Sequence, residues 1–337
     1  MRASSVFRDR LARLISGFGG RRVVVVGDFV ADEFVYGDIA RVSREAPVLI
    51  LEHRDTAIVP GGGANAVVNL RSLGAMPVPV GVVGRDPSGR ELVRHFRRLR
   101  IPTSGVVSAP GYATPSKSRV VAGGVHTRRQ QIVRIDRGAS SGRLASRTAA
   151  AVRARLRKAL RGSHALLIAD YGYGAADPGL VGALARAGSR PVTVDSRARV
   201  ARFRGVTACT PNQEEVERAL AIAPLTTRRA VEHAGRRVLR DTGNQAVLVT
   251  RGSQGMSLFR RGRPAAHLPA FGSDEVADVT GAGDTVIAVF TLALAAGGDF
   301  LEAATLANCA AGLVVMKAGT ATVSRSELLA ALREARP

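Results

Sequence analysis

The sequence predicts an α/β fold, a doubly wound three-layer sandwich that carries a small β-sheet lid. Short apolar runs without polar alternation recur along the chain, which is typical of strands buried on both faces of a parallel sheet. Amphipathic helical patterns separate these runs, and this alternation is typical of doubly wound sheets. Residues 31–54 and 101–137 instead alternate apolar and polar side chains, as strands with one wet face do. These two segments predict the lid.

The predicted elements follow one another along the whole chain. Apolar side chains at helical spacing in the Arg-rich first 18 residues predict a helix rather than a secretory signal, which needs a continuous apolar run. Buried strands are predicted at residues 22–26, 78–83, 165–169, 192–195, 206–210 and 246–250. Helices are predicted at residues 64–73, 89–99, 144–160, 179–187, 227–241 and 285–294. No low-complexity linker interrupts them, so we expect one domain over residues 1–337 and no second domain.

The charge balance is strongly basic, with a net charge of +22 and only three Lys among 49 basic residues. The Arg residues lie at helical spacing between apolar ones, which predicts solvated helix faces; weak polyanion binding is the alternative. A nucleic-acid groove would interleave basic and aromatic side chains, yet aromatics make up 4% and Trp is absent. We therefore expect no specific nucleic-acid partner.

The apolar runs and the cysteines bear on location. The longest apolar run, residues 286–296, is too short to span a bilayer, so we expect no membrane association. Cys209 and Cys309 lie far apart without metal-like spacing, which is typical of reduced thiols. A cytoplasmic location is expected.

The stretch Asp278-Val279-Thr280-Gly281-Ala282-Gly283-Asp284 opens an apolar helix. A helix start offers unpaired amides and a partial positive charge, so it attracts anions. Glycines at this start allow a phosphate to approach the backbone. Asp284 is either a simple helix cap or a base that takes a proton from a hydroxyl attacking a phosphoryl group.

A second glycine-rich stretch, residues 60–65, opens the helix predicted at 64–73. It is either a turn with a helix cap or a site where a sugar or polyol lies against backbone amides, with Asn65 bonding a hydroxyl. Asp32 follows the first strand and is either a solvated loop residue or an acceptor of two hydroxyl hydrogen bonds.

The segments that follow two further predicted strands each allow a structural and a functional interpretation. Asn212 and Glu215 either form a capping box or order waters around a Mg²⁺ ion that bridges nucleotide phosphates. The segment Thr250-Arg251-Gly252-Ser253-Gln254-Gly255 is either a hairpin loop or a backbone wall against a nucleotide.

Taken in order, these motifs resemble those of the ribokinase-like (PfkB) sugar kinase family. Gly-Asp after the first strand, Gly-Gly-x-x-Asn, Asn-x-x-Glu, Thr-x-Gly-x-x-Gly and Asp-Val-Thr-Gly-Ala-Gly-Asp cover roughly residues 20 to 330. The resemblance implies the fold predicted above and an ATP-dependent carbohydrate kinase, a phosphotransferase with an alcohol group as acceptor. Many members of the family pair through their lids, so a homodimer is expected.

Within that family, the chain resembles most the D-glycero-β-D-manno-heptose-7-phosphate kinases. The stretches 27–48, 130–136, 170–172 and 249–258 carry this resemblance. It implies phosphorylation of the heptose phosphate at C1 to the 1,7-bisphosphate, a step toward ADP-activated heptose. No His-x-Gly-His nucleotidyltransferase motif follows, so a kinase-only form is expected. Tyr173 and Arg197 depart from the Lys residues that those kinases carry in Asp-Tyr-Gly-Lys-Gly and Asp-Pro-Lys, which leaves the exact sugar open.

The resemblance also implies roles for individual residues. Asp284 is the expected base, and the amides of Gly281, Ala282 and Gly283 are expected to hold the transferring phosphoryl group. Sugar hydroxyls are assigned to Asp32, Gly61, Gly62 and Asn65, and a substrate phosphate to Arg41, Lys117, Arg119 and Arg134. ATP is assigned to Asn212, Thr250, Gly252, Gly255 and Asn308, Mg²⁺ through water to Asn212 and Glu215, and K⁺ to Asp278 with the backbone near Thr280 and residues 317–319.

Two alternatives to the heptose kinase remain open from the sequence. One is a kinase of the same family for another sugar or sugar phosphate, such as fructose 1- or 6-phosphate. The other is a sensor that keeps the fold without catalysis, against which the presence of Asp284 argues.

Overall fold

The structure, a computed structural model, describes residues 2–123, 130–138, 142–185, 188–272, 277–317 and 319–334. Its helices are α1 (Arg2–Ser16), α2 (Gly63–Ser72), α3 (Pro87–Arg98), α4 (Ser146–Ala159), α5 (Pro178–Ala185), α6 (Gln213–Leu220), α7 (Arg228–Thr242), α8 (Ala282–Ala295), α9 (Phe300–Val315) and α10 (Arg325–Glu334). Its strands are β1 (Arg22–Gly27), β2 (Phe29–Val42), β3 (Leu49–Gly62), β4 (Met76–Gly84), β5 (Val106–Ala109), β6 (Ser116–Gly123), β7 (Gln130–Arg137), β8 (Ala165–Asp170), β9 (Val192–Ser196), β10 (Ala208–Cys209), β11 (Ala246–Thr250), β12 (Met256–Arg260) and β13 (Ala266–Leu268).

The main sheet runs in the order β13-β12-β11-β10-β9-β8-β1-β4-β5. Its strands pair in parallel from β5 to β11, and β12 and β13 extend it antiparallel. The predicted strand at 206–210 narrows to β10, because the amide of Val206 donates to the side chain of Asn244 instead of a neighbouring strand. The predicted doubly wound α/β fold is confirmed.

Helices cover both faces of this sheet. Along β1, Val23 and Val25 join one hydrophobic core with α1, α2, α8, α9 and α10. Val24 and Val26 point the other way, into a second core with α4, α6 and α7. Each fully buried Val contributes roughly 1.5–3 kcal/mol of transfer free energy, so a continuous apolar run is the natural sequence for this strand.

A smaller sheet in the order β3-β2-β6-β7 forms the lid. β2 and β3 pair over 14 residues each, and β6 pairs in parallel with β2. Of the predicted lid segment 101–137, the part that forms β5 belongs to the main sheet, and β6 and β7 belong to the lid. All of β7 is exposed, whereas the alternation of its sequence predicted a strand with only one wet face.

The carboxyl ends of the parallel strands bring several polar residues to one edge. Asp28 follows β1, and Asp170, Asp195 and Thr250 lie in the last two positions of β8, β9 and β11. Ligand sites of doubly wound sheets form at this edge. The lid and the start of α8 close over the same edge, so the fold predicts the position of the site described next.

Candidate active site

Helix α8 begins at the centre of this edge without a side-chain cap. Its N-cap residue, Gly281, has a φ of 79°, and a Cβ there would lie 2.5 Å from the Nδ2 atom of Asn65. A left-handed φ and this close approach both require glycine. At Gly283, two residues further along the chain, an added Cβ would point into open space. The helix start therefore presents its backbone to a cavity, as an anion site needs.

Asp284 lies in the first turn of α8 and is buried, with 4% exposure. Tyr171 Oη donates to its Oδ1 at 2.7 Å, and Asn65 Nδ2 donates to its Oδ2 at 3.0 Å. Burial raises the pKa of Asp284 to about 7, although these two hydrogen bonds oppose the shift. Asp32 adds to the rise, and Lys117 lowers the pKa. A carboxylate with this pKa is a stronger base than an ordinary Asp.

The glycines of the second motif link β3 to α2 and bring Asn65 to Asp284. Gly61 lies beside Asp32, where a Cβ would stand 2.4 Å from Oδ2. Asn65 donates to Asp284 and, at 3.4 Å, to the carbonyl of Gly281, so its amide joins α2 to the start of α8. Its predicted bond to a sugar hydroxyl stays a prediction.

A cavity of about 260 Å³, which we call the lid cavity, lies between the lid and the start of α8. Arg119 donates to Asp32 Oδ1 at 2.7 Å, and both are buried. Lys117 Nζ lies 5.3 Å from the ring centre of Tyr171, and its burial lowers the pKa of Lys117. Arg134 pairs with Asp136 at 2.8 Å. The lining includes Asp32, Gly62, Lys117, Arg119, Arg134, Thr280, Gly281, Gly283 and Asp284.

Arg41 lies apart from this cavity. It stands on the exposed outer end of β2, opposite Ile50 of β3, nine positions along the strand from Asp32. At about 3.3 Å per residue, this separation is roughly 30 Å. The structure thus brings three of the four predicted lid cations together and leaves Arg41 outside.

A second cavity of about 360 Å³, which we call the core cavity, lies on the other side of the α8 start. Apart from four residues assigned above to ATP, most of its lining is apolar and comes from α8, α9 and residues 270–272. Gly283 lines both cavities, so the two meet at the first turn of α8. The core cavity is lined by four of the residues assigned above to ATP: Thr250, Gly252, Gly255 and Asn308.

Asn212 and Glu215 form a reciprocal capping box at the start of α6. The amide of Glu215 donates to Asn212 Oδ1 at 2.8 Å, and the amide of Asn212 donates to Glu215 Oε2 at 2.9 Å. Asn212 also bridges to Thr250, which lines the core cavity. Burial raises the pKa of Glu215. Of the two alternatives for Asn212 and Glu215, the structure therefore shows the capping box, and it places this box close to the core cavity.

Asp278 joins the loop before α8 to the segment after α9. Its Oδ1 accepts from the amide of Thr280 at 2.8 Å and its Oδ2 from the amide of Gly319 at 3.1 Å. Lys317 Nζ donates a hydrogen bond to the carbonyl oxygen of Thr322 at 2.7 Å. Residue 318, inside the predicted 317–319 cation segment, lies outside the described residues. Over the ranges that the structure describes, no group of three or more His, Cys, Asp or Glu residues is placed to hold a metal ion.

Two residues of the site received no role from the sequence. Tyr171 contacts Asp284, and Asp28 accepts the amides of the turn that carries Tyr171. Both stand in motifs quoted above, Asp-Tyr-Gly and Gly-Asp, so the signal was their position at the ends of β8 and β1. Position at a strand end does not say which atom a side chain meets.

The comparison with protein families identifies the class. A model described as pfkB family carbohydrate kinase matches residues 21–327. The chain belongs to the pfkB family of carbohydrate kinases and is therefore a phosphotransferase, which confirms the predicted family.

Individual relatives narrow the comparison. The chain is 40% identical over 328 residues to the bifunctional protein HldE of Mesorhizobium japonicum, covering 96% of this chain and 64% of that protein. HldE of Caulobacter vibrioides is also 40% identical over 328 residues, with coverages of 96% and 65%. The chain thus spans about two thirds of the length of these relatives.

Solved structures agree on the fold. Ribokinase of Arabidopsis thaliana, complexed with ribose and ATP, superposes with a TM-score of 0.72 at 22% identity, covering 94% of this chain and 100% of that one. Phosphofructokinase-2 of Escherichia coli, in complex with substrates and products, gives 0.76 at 18% identity, with coverages of 93% and 98%. The ribokinase-like fold is confirmed. Within the part of the chain that the structure describes, no helix is both long and apolar enough to cross a membrane.

Proposed function

We propose that this chain transfers the γ-phosphoryl group of ATP to D-glycero-β-D-manno-heptose 7-phosphate at C1. The observation that carries the proposal is the meeting of the two cavities at Gly283, with Asp284 beside it. The polar lid cavity suits a sugar phosphate, and the largely apolar core cavity suits a nucleotide base and ribose. The narrower resemblance to heptose 7-phosphate kinases and the 40% identity to the HldE proteins support this acceptor.

The chemistry proceeds at the start of α8. Asp284 accepts the proton of the attacking hydroxyl, and the pKa of about 7 that burial gives it makes it a better proton acceptor than an ordinary Asp near neutral pH. The amides of Gly281, Ala282 and Gly283 face the phosphoryl oxygens as charge shifts during transfer, and that of Ala282 exchanges its bond to the carbonyl of Val279, now at 3.2 Å, for the phosphoryl group. Asp32 orients sugar hydroxyls, with Arg119 holding one of its oxygens in place.

The substrate phosphate meets cations of the lid. The charge of Arg119 is already matched by Asp32 at 2.7 Å, so this side chain orients Asp32 more than it binds phosphate. Lys117 and Arg134 line the same cavity. Lys117 rests over an aromatic ring and donates no hydrogen bond to a carboxylate among the bonds described. We assign the phosphate to Lys117 and to Arg134, whose pair with Asp136 is exposed to water and exchanges more easily than the buried pair of Arg119.

Mg²⁺ and K⁺ belong to the same proposal. Mg²⁺ keeps several waters and is held by one or two carboxylates together with phosphates, so Glu215 beside the core cavity fits a water-mediated contact. When bound, the ion neutralises nucleotide phosphate charge. The carboxylate of Asp278, held by the amides of Thr280 and Gly319, is the candidate for K⁺.

A homodimer through the lid is the proposed assembly. Apolar side chains are exposed on the lid sheet and just before β3, namely Ile39, Val42, Val48, Leu49, Ile132, Val133 and Ile135. A second copy would cover this surface. Light scattering should give a dimer for the native chain and a monomer for Ile132→Glu, whereas a native monomer would exclude this assembly. An ATP-dependent kinase with two buried free thiols is expected to act in the cytoplasm.

The test is ATP turnover with purified protein, Mg²⁺ and K⁺ across heptose 7-phosphate, fructose 6-phosphate, fructose 1-phosphate, ribose and adenosine. Selective turnover of heptose 7-phosphate is expected. Turnover of another sugar would keep the role of Asp284 and overturn the substrate, and no turnover on any of them would favour the sensor.

A kinase for another sugar phosphate is the second candidate, and Tyr173 is the observation that favours it. Its ring packs against the backbone of Gly138 at the end of β7, where a Cβ would stand 2.6 Å from Cε1. The charge of Arg197 lowers the pKa of Lys117, so Arg197 lies near the same region. An aromatic ring at this corner of the lid gives the acceptor a different wall from the Lys of the heptose kinases.

A further inference from the structure

The carboxylate of Asp284 is held from two sides by neutral donors. Tyr171 Oη donates to Oδ1 and Asn65 Nδ2 donates to Oδ2, so each oxygen has one protein partner. Asn65 is itself fixed, because its side-chain oxygen accepts from Asn69 Nδ2 at 3.0 Å. Asn69 in turn accepts from Thr285 Oγ1 at 3.1 Å, which returns the chain of bonds to α8.

Tyr171 is held just as firmly, through the turn that follows β8. Asp28 Oδ2 accepts from the amides of Tyr171 and Tyr173, both at 2.9 Å, and Oδ1 accepts from the amide of Ala175 at 2.8 Å. Asp28 is fully buried at the end of β1. Three backbone donors on one buried carboxylate fix the turn relative to the centre of the main sheet.

A second carboxylate anchors the same turn. Asp170 Oδ1 accepts from the amide of Gly172 at 3.1 Å, and Arg199 pairs with both of its oxygens. Ser196 donates to Oδ2 at 2.7 Å. Nothing in the proposed phosphoryl transfer uses Asp28 or Asp170 directly. Both act on the turn, and the turn carries Tyr171.

We propose that Tyr171 is a positioning residue that orients the catalytic base Asp284 and tunes its basicity, and that Asp28 acts through Tyr171. The inference rests on the proposed function. A hydrogen bond to the ionised form of a carboxylate favours that form, so the Tyr171 hydroxyl keeps Asp284 available as a base inside a buried site. Oriented this way, the carboxylate keeps its remaining lone pairs toward the lid cavity, where the acceptor hydroxyl arrives.

Other charged groups around Asp284 have to be held constant in a test. Asp32 and Lys117 face it from the lid, and Asp195 faces it from β9. Tyr171 has its own pKa raised well above 10, chiefly by burial, so it stays a donor over the working range of pH. Substitution of Tyr171 by Phe leaves all of these groups in place.

The test compares the pH dependence of kcat/KM for the acceptor in the native chain, Tyr171→Phe and Tyr112→Phe. Tyr171→Phe keeps the ring under Lys117 and the wall of the lid cavity and removes only the hydroxyl. The acidic limb of the kcat/KM profile is expected near pH 7, where Asp284 loses its proton. Loss of the Tyr171 donor should move this limb to higher pH by about one pH unit. At a pH below the limb, the rate should therefore fall by about tenfold. Tyr112→Phe is the matched control, because its buried hydroxyl has no hydrogen-bond partner among the described residues, and it should leave the limb unmoved.

An unmoved limb in an active Tyr171→Phe enzyme would overturn the inference and leave the proposed kinase intact. Absence of turnover in the native chain would instead overturn the proposed function. A uniform loss of rate at every pH would show that the hydroxyl serves packing alone and would also refute the tuning role.

Asp28→Asn gives a second, independent test. The amide retains one acceptor oxygen for the three backbone donors, so the turn loosens and the limb should move in the same direction as in Tyr171→Phe. Because Asp28 acts through Tyr171, the double variant should shift the limb no further than Tyr171→Phe alone. Additive shifts would refute the coupling. If Asp28→Asn does not fold, the comparison of the two tyrosine variants still decides.

Discussion

Two helices begin at the same edge of the main sheet, and their starts are built in opposite ways. At α6, Asn212 and Glu215 cap each other and occupy the backbone donors with side-chain oxygens. At α8, a left-handed Gly281 replaces the cap, and no side chain closes the first turn. A helix start attracts anions only while its amides are free.

A third helix start is closed in the same way as that of α6. Asp299 and Glu302 form the same capping box at the start of α9, away from both cavities. α6 and α9 thus share one closed arrangement, and α8 differs from it where the lid and core cavities meet. α2 and α4 also begin without a side-chain cap, so the open start of α8 matters because it faces both cavities.

The largest effect is expected at the open start, from Asp284→Asn. The rate at saturating substrates should fall by about 10²- to 10⁴-fold, the usual contribution of a general base. The new amide oxygen can still accept from Asn65 and its NH₂ group can donate to Tyr171 Oη, so the fold and ATP binding should persist. Steady-state kinetics and ATP titration by calorimetry measure both.

Stability gives the control for that variant. A folded-state pKa of about 7, above the ordinary 3.8, means that the stability tied to protonated Asp284 is full below pH 3.8 and is lost as pH rises through 7. At pH 8, Asp284→Asn should therefore melt no lower than the native chain. A near-native kcat would refute the assignment of the base.

Gly283→Ala is expected to come next, with a loss of turnover of roughly tenfold or more. A Cβ at Gly283 meets open space, and Ala favours a helix by about 1 kcal/mol over Gly, so the protein should be at least as stable. The methyl group, however, lies where the two cavities join. Gly281→Ala is the contrast, because its Cβ would stand 2.5 Å from Asn65 Nδ2 at a φ of 79°.

Thermal melting and kcat separate the two glycines. Gly281→Ala should lose stability together with activity, and Gly283→Ala should lose activity alone. Native turnover in a stable Gly283→Ala would mean that the phosphoryl group passes elsewhere.

The structural roles of the residues differ in how well they could be predicted from the sequence. The buried strands and Asp284 were predictable, because apolar runs and the Gly-Ala-Gly-Asp motif are local in sequence. The pairing of Arg119 with Asp32 was not, since it depends on the register of β6 on β2. The full length of β2 and β3 also escaped prediction, because a lid sheet half exposed to water tolerates polar residues on either face.

The alternatives at α6 show why a motif alone does not decide. Asn-x-x-Glu satisfies a capping box and a water-mediated Mg²⁺ contact with the same two side chains. The structure realises the cap, and it leaves Glu215 half-buried near the core cavity with a raised pKa. Only a change that keeps the cap and removes the charge distinguishes the two roles.

Glu215→Gln is that change, and we expect a several-fold rise in the Mg²⁺ concentration that gives half-maximal rate. Gln still accepts from the amide of Asn212, so the capping geometry and the stability should hold. Glu302→Gln in α9 is the matched control and should leave the Mg²⁺ dependence unchanged. Identical Mg²⁺ curves for all three proteins would reduce Glu215 to a cap.

The smallest effect is expected from removing the caps themselves. Asn212→Ala and Asp299→Ala should each lower the free energy of unfolding by about 1 kcal/mol, the usual cost of losing an N-cap side chain. Urea denaturation measures this loss. Because Asn212 bridges to Thr250 at the core cavity, its variant should also raise the KM for ATP a few-fold, whereas Asp299→Ala should not. Equal KM values in the two variants would place the start of α6 outside the nucleotide site and leave the open start of α8 as the sole anion-binding helix end of the pair.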